Sequence, residues 1–505
     1  MVTPSRKLPL WLLGVMLLAL ALRLFHLGHQ SLWTDEMISL ELATYARGAE
    51  FFRGLMTDIH GPFTSLLLHG WTRLGTSEAW LRLLYAIPGV LAIPLAWKLG
   101  AALFDERVGR VTALLMAISP FHVWYSQEVR SYSWAILWDA GALLLFLRAW
   151  DGKAGRGAWV GLAVLCALSL LTNFSAGFLL AGLSAAVLAK RPFSWGFAGR
   201  WAGVVLFAAA VFSPWFIDWY HRMGAERVFV DAPSPMGVPL RGDSGFSWRE
   251  ISYLGWAFAF GYSLGPPLQA LHLDRSLHAL APYLPAVAIG VAAIVVPLIG
   301  GLGVARERGR LGWLAATALV PLGLAVLLAA RDVKTFNPRY LIAFFPQFLA
   351  VLAAGFCRTG RLFRLSRGVA LVLAGIALGQ LYFDPAYAKE DSRAAARLVL
   401  REERPGDSVV VIYAWRPFRY YFSDTAAGKA PLHALHKRFL RTDEDLRKHV
   451  ADVSRGEQRV WLVLSRWWDV APEARIRRAF EEQLSEEKRW DLPGVKVTLY
   501  DVRRA

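Results

Sequence analysis

Cysteine is almost missing from this chain: there are two in 505 residues, Cys166 and Cys357. Both fall inside apolar stretches and none lies beyond residue 387, so a disulfide framework or a cysteine-based zinc site is excluded from the polar tail. That tail also lacks a Gly-rich phosphate loop, a cluster of metal-ligating side chains and a nucleophile elbow. Acidic residues are outnumbered, 39 against 56 Lys and Arg, which leaves a net charge of +17. What the chain has in excess is apolar surface: 55% hydrophobic residues, 22 Trp and a mean hydropathy of +0.37. A soluble globular protein of this length is less apolar and carries fewer tryptophans. Repeated runs near 20 residues long match the hydrocarbon thickness, and only helices satisfy their own backbone there.

Eleven spans are expected, at 8–27, 80–104, 111–127, 133–150, 158–172, 174–189, 201–219, 282–304, 311–330, 341–357 and 369–386. The basic excess is not spread evenly over the connections. The N-terminus and every second loop (1–7, 98–110, 148–156, 190–200, 305–310, 358–367) hold 18 Lys/Arg against 4 Asp/Glu. This is the positive-inside pattern, and it argues against nucleic acid as a partner. It puts the N-terminus in the cytoplasm and the loops 28–79 and 218–281 outside, with the tail from 387. The opening run resembles a signal peptide but continues past Arg23 to Leu27, which favours an uncleaved anchor with Arg23 snorkelling outward. The chain therefore divides into a polytopic α-helical membrane domain, 1–386, with about 11–13 helices, and a soluble domain, 387–505. The tail alternates helix (DSRAAARLVLREER), strand (DSVVVIYAW, RVWLVLSRWW), helix (PEARIRRAFEEQL) and strand (VKVTLYDV), the pattern of a small α/β domain.

The first outer loop is not a plain linker. MISLELATYARGAEFF and GPFTSLLLHGWTRLG read as amphipathic helices lying along the interface, the second started by Pro62. The second outer loop contains DAPSPMGVPLRGDSG, the composition of a mobile lid or a plain disordered stretch.

Four charged clusters share the outer face. Asp35 and Glu36 form the first; either they begin a solvated helix capped by Thr34, or the pair supplies a general base at the membrane surface where a lipid-borne substrate arrives. His60 sits in the turn DIHGPF, where a structural role competes with a functional one. Glu128 and Arg130 lie between two tyrosines, one of them Tyr132, where one span ends and the next begins; an ion pair tying helices together is the alternative. Lys334 and Arg339, in KTFNPRYL beside Tyr340, stand outside against the charge rule, which suits a lipid phosphate. Asp139, inside the fourth span, reads as structural and reaches Arg148 only if its helix kinks. A carboxylate beside several cations at a membrane surface suits displacement of a phosphate leaving group by a hydroxyl.

The order WTDE, HGPFTSLLLHGW, SPFHVWYSQEVRSY and NPRYLIAFFP, over roughly residues 8–357, resembles the GT-C superfamily of membrane glycosyltransferases. The likeness is to the group of protein O-mannosyltransferases and lipid A aminoarabinose transferases. The resemblance implies a polyprenyl-phosphate-linked sugar donor, use on the extracytoplasmic side of a bacterial inner membrane, and inversion at the sugar carbon. It carries over Asp35 as catalytic base and Glu36 as its supporting neighbour in the catalytic pair, with Arg130 as a donor or phosphate ligand and Arg339 in the matching late PRY motif; Lys334 joins them as a donor or phosphate ligand on the charge argument above. His60, Glu128, Tyr132 and Tyr340 would support them, and no metal or other cofactor is expected. The family turn usually continues His-x-Pro-Pro, whereas Gly61 intervenes here. A lipid-linked saccharide transporter or flippase, a polysaccharide ligase or polymerase, and a scaffold for the tail are the competing readings. The sugar and the acceptor are not readable from the sequence.

Overall fold

A computed structural model describes residues 9–44, 48–55, 61–223, 248–273, 277–331, 336–423, 430–435, 442–466 and 473–502. The helices of the apolar part are α1 (Leu10–Leu24), α2 (Thr34–Thr44), α3 (Ala49–Leu55), α4 (Pro62–Trp71), α5 (Glu78–Leu103), α6 (Glu106–Ile118), α7 (Pro120–Ser126), α8 (Tyr132–Trp150), α9 (Arg156–Thr172), α10 (Ala176–Ala189), α11 (Trp195–Met223), α12 (Arg249–Phe260), α13 (Leu268–Leu273), α14 (Leu284–Glu307), α15 (Leu311–Ala330), α16 (Phe345–Phe356) and α17 (Arg361–Phe383). Among the described residues seven helical segments are long and apolar enough to cross a membrane, and α1, α9 and α10 are shorter apolar helices. With the broken pair α6–α7, these fall where the eleven spans are expected; the protein is a multi-pass membrane protein. Lipid-facing positions are apolar, as with Leu17, Leu206 and Val372, each more than 60% exposed.

Local chemistry explains the breaks. Ser77 caps α5 by accepting from the Trp80 N–H at 3.3 Å, and Asp105 caps α6 through the Val108 N–H at 3.0 Å. Pro120 at the first position of α7 separates it from α6, and Ser119 accepts from the His122 N–H at 3.2 Å. The amphipathic loop helices form as α2, α3 and α4, with Pro62 at the start of α4. Thr34 does not cap α2; its hydroxyl is buried without a partner among the described residues, and the cap is Trp33, whose carbonyl accepts from the Met37 N–H at 2.9 Å.

Arg23 corrects a second expectation. It is fully buried rather than snorkelling, and donates to the carbonyls of Ala19 (2.9 Å), Ala117 (3.0 Å) and Met116 (3.2 Å), with His122 Nδ1 at 2.9 Å. The broken α6–α7 junction frees the carbonyls of Met116 and Ala117, and the buried guanidinium satisfies them. Asp139 does not reach toward Arg148; it accepts from Ser169 on α9.

The tail forms β1 (Asp407–Tyr413), β2 (Leu432–Leu435), β3 (Arg459–Ser465), β4 (Leu484–Leu492) and β5 (Val495–Val502), with α18 (Ser392–Glu402), α19 (Trp415–Ser423), α20 (Asp443–Ser454) and α21 (Glu473–Glu481). The sheet order is β2-β1-β3-β5-β4, with β1 parallel to β2 and β3, and β5 antiparallel to β3 and β4. Strand alternation sends Val409 and Val411 to the face covered by α18 and α19, and Val410 and Ile412 to the face covered by α20 and α21.

Candidate active site

The site is built where the ends of α1, α7 and α17 meet the starts of α2, α5 and α8. Glu36 is its anchor. The Arg82 guanidinium, at the start of α5, donates to Glu36 through Nε to Oε1 at 2.9 Å and Nη2 to Oε2 at 2.8 Å. The Val129 N–H donates to Oε1 at 3.0 Å, the Trp33 N–H to Oε2 at 3.4 Å, and Lys389 Nζ lies 3.4 Å from Oε2. Burial alone would raise the Glu36 carboxyl, but Arg82 and Lys389 outweigh it and hold it at about 2. Arg82 also binds the carbonyls of Leu27 (3.0 Å), Gln30 (2.8 Å) and Ser31 (3.0 Å), so one ion pair fixes the whole α1–α2 connection.

Asp35 is the neighbour that remains reachable. Its side chain is 26% exposed, against 0% for Glu36. Arg339 Nη1 lies 3.5 Å from Oδ2. Arg130 Nη1 donates to the Asp35 carbonyl at 3.2 Å and to Ser39 Oγ at 3.1 Å, which clamps the first turn of α2. Burial works against the carboxylate, yet Arg130, Arg339 and Arg466 together hold it below the ordinary range. Asp35 is thus an ionised, partly wet carboxylate beside several cations, a place where a proton could be accepted next to a bound anion.

Arg339 is placed by NPR. The Asn337 side chain accepts from the Arg339 N–H at 3.1 Å and Pro338 opens a 3-10 turn, Pro338–Phe344, that leads into α16. Its guanidinium lies 5.9 Å from the Tyr132 ring and 5.7 Å from the Tyr340 ring. Tyr132 is buried and packs edge-on to Tyr125 at 4.6 Å. Glu128 is buried, with Oε2 lacking a hydrogen-bond partner among the described residues. Burial is the main reason its carboxyl is pushed up to about 7; Lys389 and Arg130 pull it down, Glu36 and Asp35 push it further up.

The sequence-predicted residues Asp35, Glu36, Glu128, Arg130, Tyr132, Arg339 and Tyr340 are thus brought together. Lys334 and His60 lie outside the described residues. The turn after His60 has a physical reason for its glycine: a Cβ on Gly61 would sit 2.1 Å from the Leu171 carbonyl oxygen near the end of α9. Among the described residues no group of three or more His, Cys, Asp or Glu side chains is gathered as a metal site.

Three residues of the site are not expected from sequence. Arg82 could have been flagged as a charge inside an apolar span. Lys389 and Arg466 come from the soluble part and carry no local signal. Lys389, buried between Glu36 and the rings of Trp33 (5.7 Å) and Trp124 (5.5 Å), is held below its usual value by burial despite Glu36 and Glu128. Arg466 follows β3, with its guanidinium 5.7 Å from the Trp33 ring, and pairs with Glu390 at 3.4 Å. The soluble domain is fastened to the first loop by further contacts: Arg393 to Glu78 at 2.8 Å, Tyr421 Oη to Glu78 at 3.0 Å, Ser31 Oγ to the Glu390 carbonyl at 2.7 Å, and an Arg416–Glu41 ion pair.

Residues 59–219 match the family model of dolichyl-phosphate-mannose-protein mannosyltransferase. No curated protein matches the sequence. In structure the chain is similar to ArnT from Cupriavidus metallidurans in the apo state, with a TM-score of 0.58 at 15% identity over 97% of both chains. It is also similar to ArnT bound to undecaprenyl phosphate, with a TM-score of 0.57 at 15% identity over 97% of this chain and 98% of that one. The chain thus shares the fold of these ArnT structures over almost its whole length, and residues 59–219 carry the match to a glycosyltransferase family model.

Proposed function

We propose that this protein transfers a sugar from a polyprenyl-phosphate carrier to an acceptor on the extracytoplasmic side of a bacterial inner membrane, with Asp35 as general base. The observation that carries the reading is Asp35 itself. It is the reachable carboxylate of an adjacent pair, facing Arg339 at 3.5 Å, where several apolar helices end. The undecaprenyl phosphate bound to the similar ArnT fold supports a lipid phosphate as the carrier.

The step is a single displacement. Asp35 takes the acceptor hydroxyl proton as that oxygen forms its bond to the anomeric carbon. The carbon–oxygen bond to phosphate breaks, and its electron pair leaves with the phosphate. Arg339 and Arg130 neutralise the charge that grows there, and attack opposite the leaving group inverts the carbon. Glu36 does not react in this scheme. Its carboxylate is consumed by Arg82 and Lys389, and it sets the angle at which α2 presents Asp35.

The test is transfer of radiolabelled sugar from a panel of polyprenyl-phosphate donors in membranes holding matched amounts of wild type, Asp35→Asn or Arg339→Ala. Wild type should transfer label, naming the acceptor. Asp35→Asn should lose roughly 10²–10⁴-fold in rate with its melting temperature kept. Normal transfer by Asp35→Asn would sink the assignment.

A further inference from the structure

We propose that Arg466, from the soluble C-terminal domain, is a phosphate-binding residue of the same active site, so that the catalytic basin is completed by that domain and not by the membrane bundle alone. This rests on the donor reading above.

Three separate observations lead there. The first is convergence: Arg130 comes from the α7–α8 connection, Arg339 from the turn before α16, and Arg466 from the sheet, and the charges of all three act on the single carboxylate of Asp35. Glu36 is paired with Arg82 and Lys389, and Arg466 with Glu390. Counted over the whole group, five cations (Arg82, Lys389, Arg130, Arg339, Arg466) face four carboxyls (Asp35, Glu36, Glu128, Glu390), so positive charge is in excess, as a site for an anion requires.

The second is topology. In open α/β sheets, ligands are bound beyond the carboxyl ends of parallel strands, where successive connections leave to opposite faces. Here β1 lies between β2 and β3, all parallel. The connection leaving β1 runs through α19 on one face, and that leaving its neighbour β3 leads to α21 on the other. Arg466 stands at the carboxyl end of β3, beside the end of β1 at Tyr413. That edge of the sheet is turned onto the loop bearing Asp35, with Arg466 5.7 Å from the Trp33 ring.

The third is backbone strain. Arg466 has φ of +51°, in the left-handed region where an L side chain is disfavoured and glycine is at ease. A residue held there by its surroundings points to a use for its side chain. The structure holds that side chain in place, 16% exposed, with Glu390 gripping Nε at 3.4 Å while the next residue back, Lys389, is locked onto Glu36. A group fixed in this way loses little freedom when it meets a ligand.

The experiment uses the full chain in lipid nanodiscs and titrates undecaprenyl phosphate as the probe, followed by intrinsic tryptophan fluorescence and by the shift in melting temperature. The variants are Arg339→Gln, Arg466→Gly, Arg466→Gln and Arg466→Lys. Glycine suits the φ at this position, so Arg466→Gly tests the side chain without adding backbone strain; Arg466→Gln is the second neutral variant should the first misfold. Both should bind the lipid phosphate at least tenfold more weakly than wild type with the unliganded melting temperature kept, while Arg466→Lys recovers part of the loss. Wild-type affinity in both neutral variants, beside weakened binding in Arg339→Gln, overturns the role of Arg466 and leaves the donor reading standing. Failure of the wild type to bind the probe removes the donor reading, and the inference falls with it.

Discussion

Glu36 and Arg82 face each other through two parallel contacts, 2.9 and 2.8 Å, with both side chains buried. The pair is the fixed point of the site, because Arg82 also gathers three carbonyls of the α1–α2 connection. Removing one partner of a buried pair strands the other charge, here two charges, Arg82 and Lys389. Glu36→Gln should therefore destabilise by roughly 3–5 kcal/mol. The sign with pH follows from the depressed carboxyl. Its contribution is present above the unfolded value and is lost as pH falls through the folded value of about 2. Thermal unfolding of the purified protein checks this; a variant melting like wild type at pH 7 would show that Glu36 does not hold the loop.

Glu128 predicts the opposite sign. Its carboxyl is raised to about 7 by burial, against Lys389 and Arg130 and with Glu36 and Asp35. A raised acid costs nothing below its unfolded value near 4.3, costs more as pH climbs to 7, and costs a constant amount above. Glu128→Gln imitates the protonated form. It should raise the melting temperature at pH 8, by up to about 3 kcal/mol of stability, and change little at pH 4.5. A gain of equal size at both pH values would mean that the carboxyl does not titrate in this window.

Much of this architecture is legible in the sequence, and the parts that are not share a cause. Hydrophobic runs place the spans because backbone groups in lipid leave only one solution. WTDE, YSQEVRSY and NPRY announce their charges because a charge beside hydrocarbon needs a reason. What no local pattern reveals is pairing across long separations. That Glu36 is spoken for depends on Arg82 and on Lys389, 353 positions away in the chain. Arg466 is one arginine among the 24 basic residues after 387, and only the sheet topology brings it to Asp35. The soluble domain shows the same limit. The buried strands β1, β3 and β5 are read from their apolar runs, but β4 (LSEEKRWDL) is a charged edge strand and β2 has four residues, so neither carries a strand signal.

Gly61 separates packing from chemistry in the His-x-Pro turn. An added methyl would meet the Leu171 carbonyl oxygen at 2.1 Å, and that atom is backbone, so α4 or α9 must move. Gly61→Ala should lower stability by about 1–3 kcal/mol and shift α4 away from α9. Hydrogen exchange along Pro62–Trp71 reads the shift; protection equal to wild type would show that the turn absorbs the methyl without consequence.

Tyr421 tests whether the soluble domain is rigidly seated on the loop that carries Asp35. Its hydroxyl accepts from the Leu32 N–H at 2.8 Å and donates to Glu78 Oε1 at 3.0 Å, while Arg393 reaches the same Glu78 oxygen at 2.8 Å. Leu32 is buried, so its amide has no water to turn to when the hydroxyl is removed. Tyr421→Phe keeps the ring packed and deletes only that oxygen. It should cost about 1–3 kcal/mol and speed hydrogen exchange at Leu32 without speeding it in the bundle core, for example in α8. Because α2 begins at Thr34, loosening here should also lower the rate of sugar transfer more than it weakens binding of the lipid phosphate. Unchanged exchange at Leu32, or a rate loss matched by equal loss of lipid-phosphate binding, would mean that the domain does not steer Asp35 through this contact.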